Sequence, residues 1–245
     1  MKLRYIALHM NDLSGYNDLF RIKFNEHSRF ISNYLSIHVR KLKFETDNTF
    51  KMISVIPSQK KEASTFQILA ENVINATVPF DPKKYEEMGE IEKYEYYLAL
   101  LEEGYRICAQ HKNIPLDELI RLNQQFRDGG YKNEWIHKRK VFKDLGLDIT
   151  LYCCFTSSEF HLRMGVVNRE SKKEFLSGTV LVTPPYEVSY EYLFKDIVYD
   201  PDSHSIIITD YFNRPKFIFL INDIFNKRFK FEIIDYKLET EEQNF

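Results

Sequence analysis

Asp200-Pro201-Asp202-Ser203-His204 sets two carboxylates and an imidazole at alternate positions, with Asp196 and Asp210 nearby in the chain. Oxygen and nitrogen donors of this kind suit a hard divalent cation, which makes Asp200, Asp202 and His204 candidate metal ligands of a hydrolase or nuclease. The same run has a simpler use, because Asp and Ser bond their own backbone and a polar turn feeding Ile206-Ile207-Ile208 requires such residues. A second arrangement would join Asp148 to Glu170-Ser171-Lys172, two carboxylates holding Mg2+ while the lysine positions or activates water. There the glutamate and lysine should sit in an apolar strand, whereas Asn168 to Lys173 reads as a solvated turn.

The densest basic stretch is His137-Lys138-Arg139-Lys140, beside Glu134, Trp135 and Tyr131, a mixture that phosphate contact and base stacking could use. On a strand these charges alternate between the two faces and form no single patch. A charged edge strand that blocks sheet-to-sheet aggregation explains them better. Glu159, His161 and Arg163 share one strand face opposite Phe160, Leu162 and Met164, and could take an anionic group or line a partner surface. The open face of any antiparallel sheet carries the same alternation. Cys153 and Cys154 point to opposite faces of a strand and, with Cys108, make an odd count with no adjacent histidine. They read as packing residues rather than as activated thiolates or a disulfide framework.

The chain lacks the spacings Gly-x-Gly-x-x-Gly, Gly-x-x-x-x-Gly-Lys, Gly-x-Ser-x-Gly, His-Glu-x-x-His and Cys-x-x-Cys. It has only 8 glycines in 245 residues, under half of the roughly 7% of ordinary proteins. Dinucleotide turns and nucleophile elbows need glycine for close backbone approach, so these mechanisms lose their usual support. Lys and Arg number 34 against 36 Asp and Glu, a net charge of −2 that disfavours nucleic acid. No apolar run approaches the roughly 18 residues of a spanning helix. Met1 to Met10 is broken at His9 and Asn11 and lacks a small-residue cleavage site, so the expectation is a cytoplasmic chain without a membrane partner. No cofactor is implied.

Residues 1–80 read as half-buried strands. Phe20, Ile22 and Phe24 alternate with Arg21 and Lys23, and Leu35, Ile37 and Val39 alternate with Ser36 and His38, which predicts a hairpin-connected antiparallel sheet. Asp81-Pro82 then starts a helix, with Asp81 as N-cap. Tyr85, Met88, Ile91, Tyr94, Leu98, Leu101, Tyr105 and Cys108 keep one apolar stripe, which Asn113-Ile114-Pro115 ends. Leu116 to Phe126 carries a second helix up to Gly129-Gly130. Extended segments follow at 132–143, 147–156, 159–168 and 175–183, then a short helix through Tyr190, Leu193, Phe194 and Ile197, and strands at 206–208, 217–221 and 229–234. The tail from Glu239 is polar and expected to fray.

The expected fold class is therefore α+β: antiparallel sheet regions flanking a central helical hairpin, with one short helix in the C-terminal meander. A β region of 1–80 precedes a portion of 81–245, as two domains or one continuous domain. Residues 1–80 carry 11 basic and 7 acidic groups, whereas 81–128 carry 7 and 11, so an acidic hairpin follows a basic lobe. By elimination the expectation is a non-catalytic protein-binding module, such as a bacterial immunity-type inhibitor or accessory protein, with a metal-dependent hydrolase or nuclease as the alternative. Tyr96 and Tyr97, one of which must lie off the apolar stripe, are the candidate partner-binding residues.

Overall fold

The computed structural model describes residues 1–59, 65–69 and 72–235; the tail from Glu239 lies outside the described residues. It has the mixed α+β class, and its chain divides into two compact units, residues 1–133 with 155–158, and residues 134–154 with 159–245.

In the first unit, β1 (Tyr5–Leu8), β2 (Met52–Ser58), β4 (Val73–Pro79) and β3 (Thr65–Leu69) lie side by side in that order. β1 and β2 pair in parallel, as do β2 and β4, and only β3 runs antiparallel to its neighbour. This corrects the expectation of a hairpin-connected sheet for residues 1–80. The parallel pairing of β1 with β2 is made possible by α1 (Asp18–Leu42), which carries the chain back between them. Phe20-Ile22-Phe24 and Leu35-Ile37-Val39, expected as strands, both lie in α1. Its buried stripe is Phe24, Ser28, Ile31, Leu35 and Val39, stepping by 4, 3, 4 and 4. A serine inside that stripe hides its helical period, and the exposed Ile22 supplies a false alternation.

The serines of α1 do more than fill the stripe. β1 is an edge strand, and its polar backbone is matched by side chains one helical turn apart. Ser36 Oγ accepts from the Ile6 N–H at 3.1 Å and donates to the Ile6 carbonyl at 3.1 Å. Ser32 Oγ accepts from the Leu8 N–H at 3.0 Å, Ser28 Oγ donates to the Leu8 carbonyl at 3.3 Å, and the Asn25 amide makes both bonds to the Met10 backbone. The helix thus occupies the edge that another strand would otherwise pair with.

Asp81 caps α2 (Pro82–Glu87), accepting from the Lys83 and Lys84 N–H groups. The single stripe expected here breaks at Met88-Gly89, and α3 (Glu90–His111) begins afresh with Glu92 accepting from the Gly89 N–H at 2.8 Å. α3 packs on β2 so closely that a Cβ at Gly104 would lie 2.3 Å from Val55 Cγ2, so only glycine fits without displacement. α4 (Leu116–Asp128) follows, as the stripe ending at Gly129 implies, and completes the helical hairpin.

The second unit contains most of the sheet β5 (Asn133–Phe142), β6 (Leu147–Phe155), β7 (Phe160–Asn168) and β8 (Lys173–Thr183), paired in chain order as the expected meander. α5 (Glu187–Tyr190) is a single turn. Ile197, expected on the same helix, instead lies in β9 (Asp196–Asp200), which continues with β10 (Ser205–Thr209), β11 (Pro215–Leu220), α6 (Ile221–Phe225) and β12 (Glu232–Ile233) into a second antiparallel sheet. Its core is aromatic: Phe160 stacks on Tyr190 with ring centroids 3.6 Å apart, and Phe219 packs among Phe229 and Phe231. Among the described residues no helix is long and apolar enough to cross a membrane.

Candidate functional site

Strand alternation divides the second half of β6 and the length of β7, while Asp148 and Thr150 at the start of β6 are buried as well. Leu147, Ile149, Leu151 and Cys153 of β6, with Phe160, Leu162, Met164 and Val166 of β7, are buried. The opposite face presents Tyr152 and Cys154 from β6, and His161 and Arg163 from β7. Two register shifts interrupt the β7–β8 ladder, at Leu162/Arg163 and at Val166/Val167. Such shifts bend a strand and raise its twist, and the open face here is concave. The resulting cavity of about 560 Å3 is lined by Glu134, Tyr152, Cys154, His161, Arg163 and Glu174 among others. Gly165 keeps its floor low, since a Cβ there would stand 2.7 Å from Glu174 Oε2 and 3.1 Å from the Tyr152 ring.

The charged groups alternate in sign across this face, and several are already engaged with one another. His161 Nε2 lies 2.7 Å from Glu159 Oε1, an ion pair whenever the imidazole is protonated. Cys154 Sγ donates to Glu134 Oε1 at 3.8 Å. Burial pushes the Cys154 thiol above its ordinary pKa and the Glu134 charge adds to this, while Arg163 opposes it. A thiol held protonated by its nearest carboxylate is a poor nucleophile. Cys153, on the core side of β6, is driven higher still by burial, and Cys108 is pushed up to about 12 by the same cause. What the face can do is present donors, acceptors and both charge signs around a ring and a thiol, which is the equipment of recognition. Sequence alternation located Glu159, His161 and Arg163 but not Glu134, Tyr152 or Glu174, because pairing across four strands and the bulges are not local signals.

The expected metal ligands go elsewhere. Asp200 Oδ1 accepts from the Asp202 N–H at 3.1 Å and its Oδ2 from Ser203 Oγ at 2.6 Å, while His204 Nδ1 bonds the Tyr199 hydroxyl at 2.8 Å. His204 has φ of 50°, the left-handed turn conformation. Asp200, Asp202 and His204 therefore build the hairpin between β9 and β10. Among the described residues no three His, Cys, Asp or Glu side chains come together as a metal site would require. The other proposed ion site fares likewise: Asp148 pairs with Arg139 across β5 and β6, and Glu170 lies in the exposed turn before β8. Lys138 and Lys140 both reach Asp196, at 3.2 and 3.5 Å, so the basic stretch is engaged on one face by Asp148, through Arg139, and on the other by Asp196.

Of the two tyrosines, Tyr97 is wholly buried, its hydroxyl 2.5 Å from that of Tyr85, and it serves the core rather than a partner. Tyr96 is half-buried; its hydroxyl accepts from the Asp81 N–H and its ring stacks on Phe80 at 5.5 Å. It lines a second groove, on α2 and α3. Comparison with protein-family models, curated proteins and solved structures finds no match for this chain.

Proposed function

We propose that this chain is a non-catalytic protein-binding module, of the kind that an immunity-type inhibitor or accessory protein of a bacterial cell would be, and that it recognises its partner on the concave face of β5–β8. The observation that carries the reading is the composition of that face: a cavity of about 560 Å3 lined by Glu134, His161, Arg163 and Glu174 beside Tyr152 and Cys154. Interfaces with proteins use such mixtures, an aromatic centre for contact area and charges for register and discrimination. The partner surface must then offer an acidic group to Arg163 and donors or cations to Glu134 and Glu174.

The test is affinity capture from the native cell with the wild-type chain and with Arg163→Glu and Tyr152→Ser side by side. The expected result is one stoichiometric protein retained by the wild type and lost by both variants, each of which keeps its melting temperature because both sites are exposed. Retention of the same partner by both variants would place recognition elsewhere, and turnover of a substrate by the wild type would replace binding with catalysis.

A further inference from the structure

The hairpin joining β10 to β11 ends in Asp210-Tyr211-Phe212-Asn213-Arg214, and its two rings point into solvent, Tyr211 at 54% and Phe212 at 63% exposure. The turn is held from beneath. Asp210, 3% exposed, accepts from the Phe212 and Arg214 N–H groups, each at 2.9 Å, and from Arg214 Nε at 2.8 Å. Lys195 Nζ donates to the Tyr211 carbonyl and to Asn213 Oδ1, and the Tyr211 N–H donates to the Tyr192 carbonyl. Tyr211 stands edge-on between Tyr192 and Phe212, with centroids 5.5 and 5.6 Å away. The Lys195 ammonium sits 5.6 Å from the Tyr211 ring and the Arg214 guanidinium 5.0 Å from that of Phe212. The result is a rigid aromatic prong with the Lys195 cation and the Asp210–Arg214 ion pair at its base. Its conformation is set before contact, so docking it costs little ordering entropy.

The chain also carries the complementary shape. The groove on α2 and α3, about 600 Å3, has a floor of Met88, Ile91 and Tyr96 and a rim that includes Glu87, Glu92 and Glu95. Ile91 is 55% exposed there, an aliphatic side chain on the helix stripe that no core residue covers. Only Lys84 on that rim is basic, so an apolar trough edged by carboxylates faces outward. The aromatic rings match it in polarity and Lys195 matches Glu87 and Glu92 in charge sign, while Arg214 is already paired with Asp210 at 2.7 Å and Glu95 with Arg127 at 2.9 Å.

We infer that the chain associates with a second copy of itself head to tail, the Tyr211–Phe212 prong of one protomer entering the α2–α3 groove of the next. The contact joins two different surfaces, so a copy that has lost its prong and a copy that has lost its groove still share one competent pair. Two or three rings bury roughly 150–250 Å2 each, which places the contact below the about 1,200 Å2 of stable complexes and makes it reversible. The inference stands independently of the concave face of β5–β8.

Sedimentation velocity of the full chain from roughly 1 μM to 1 mM tests it, the span over which weak complexes register. The wild type is expected to show a weight-average sedimentation coefficient that rises with concentration and falls back on adding salt. Phe212→Ser removes the prong and Ile91→Asp charges the groove; each is expected to stay monomeric, with Tyr211→Ser and Glu87→Lys as second variants of the same two surfaces. An equimolar mixture of Phe212→Ser and Ile91→Asp retains one intact prong and one intact groove, so it is expected to form dimers and nothing larger. A wild type that is monomeric throughout, self-association that survives in either pair of variants, or a mixture that stays monomeric would each overturn the inference.

Discussion

Replacing Ser36 with alanine should weaken the first unit out of proportion to the single atom removed. The hydroxyl serves the Ile6 N–H and carbonyl at once, so its loss leaves two backbone groups of an edge strand without their partner. An unsatisfied buried donor or acceptor costs about 1–3 kcal/mol. These groups are part-buried, which points to the lower half of that range. Alanine is the better helix former, by up to about 0.7 kcal/mol, and works in the opposite direction. The net expectation is a loss of about 2 kcal/mol for Ser36→Ala and of about 0.5–1 kcal/mol for Ser32→Ala, which deprives only the Leu8 N–H. Denaturant unfolding reads the total, and amide hydrogen exchange reads the place: Ile6 should lose protection in one variant and Leu8 in the other. Ser36→Thr keeps the hydroxyl and should recover most of both. Unchanged exchange at Ile6 in Ser36→Ala, or a net gain in stability, would refute the assignment of α1 as the cover of this edge.

Burial lowers the pKa of His9, His27, His38 and His137 in the folded chain below the usual 6.5. Each therefore contributes stability that is complete above about pH 6.5 and is lost as the pH falls through its folded value, because the unfolded state binds the proton first. Unfolding free energy measured at successive pH values should begin to decline below about 6.5, before the carboxylates titrate, and His9→Phe should reduce that early slope; a flat profile from 7.5 to about 5 would count against it. Thiol labelling under native conditions should modify Cys154 alone, since Cys108 and Cys153 are buried, and should accelerate with rising pH. Glu134→Gln removes the charge that helps keep the Cys154 thiol protonated and should speed that labelling; an unchanged rate would show that the carboxylate is not its neighbour in solution.

Where one face of an element is uniformly apolar, its type and limits were legible in advance. β6 and β7 alternate without exception between Leu147 and Cys153 and between Phe160 and Val166, and α4 runs from Leu116 to the glycines at 129 and 130. α1 was misread for a physical reason: its core stripe includes Ser28, which is apolar in position but polar in type, and it is flanked by Ser32 and Ser36, whose hydroxyls answer to a strand some 30 residues earlier. No window of local sequence contains both partners. Tyr97, a candidate for a partner surface, is buried instead, because a phenol can enter the core when another, here Tyr85, shares a hydrogen bond with it. The concave face was half visible, in His161 and Arg163 on β7, while Glu134 and Glu174 reach it from β5 and β8, beyond any local window of sequence.

The scarcity of glycine bears on function through where the few glycines stand. Gly104 lies beneath Val55, Gly178 beneath the Phe229 ring, and Gly165 beneath Glu174 and Tyr152, so three of the eight admit close packing of one element on another. At Gly165 the vacancy left by the missing side chain is what lets the open face of β7 sink below its neighbours, and a recognition surface results without any loop wrapping a ligand. A site of that construction draws its specificity from the pattern of Glu134, His161, Arg163 and Glu174 over several strands. It suits an extended surface whose charges repeat at strand spacing, about 5 Å across the sheet and 7 Å along it. A small molecule would touch only part of that pattern and leave the remaining charges to water, which is the physical ground on which a protein partner is proposed for this face.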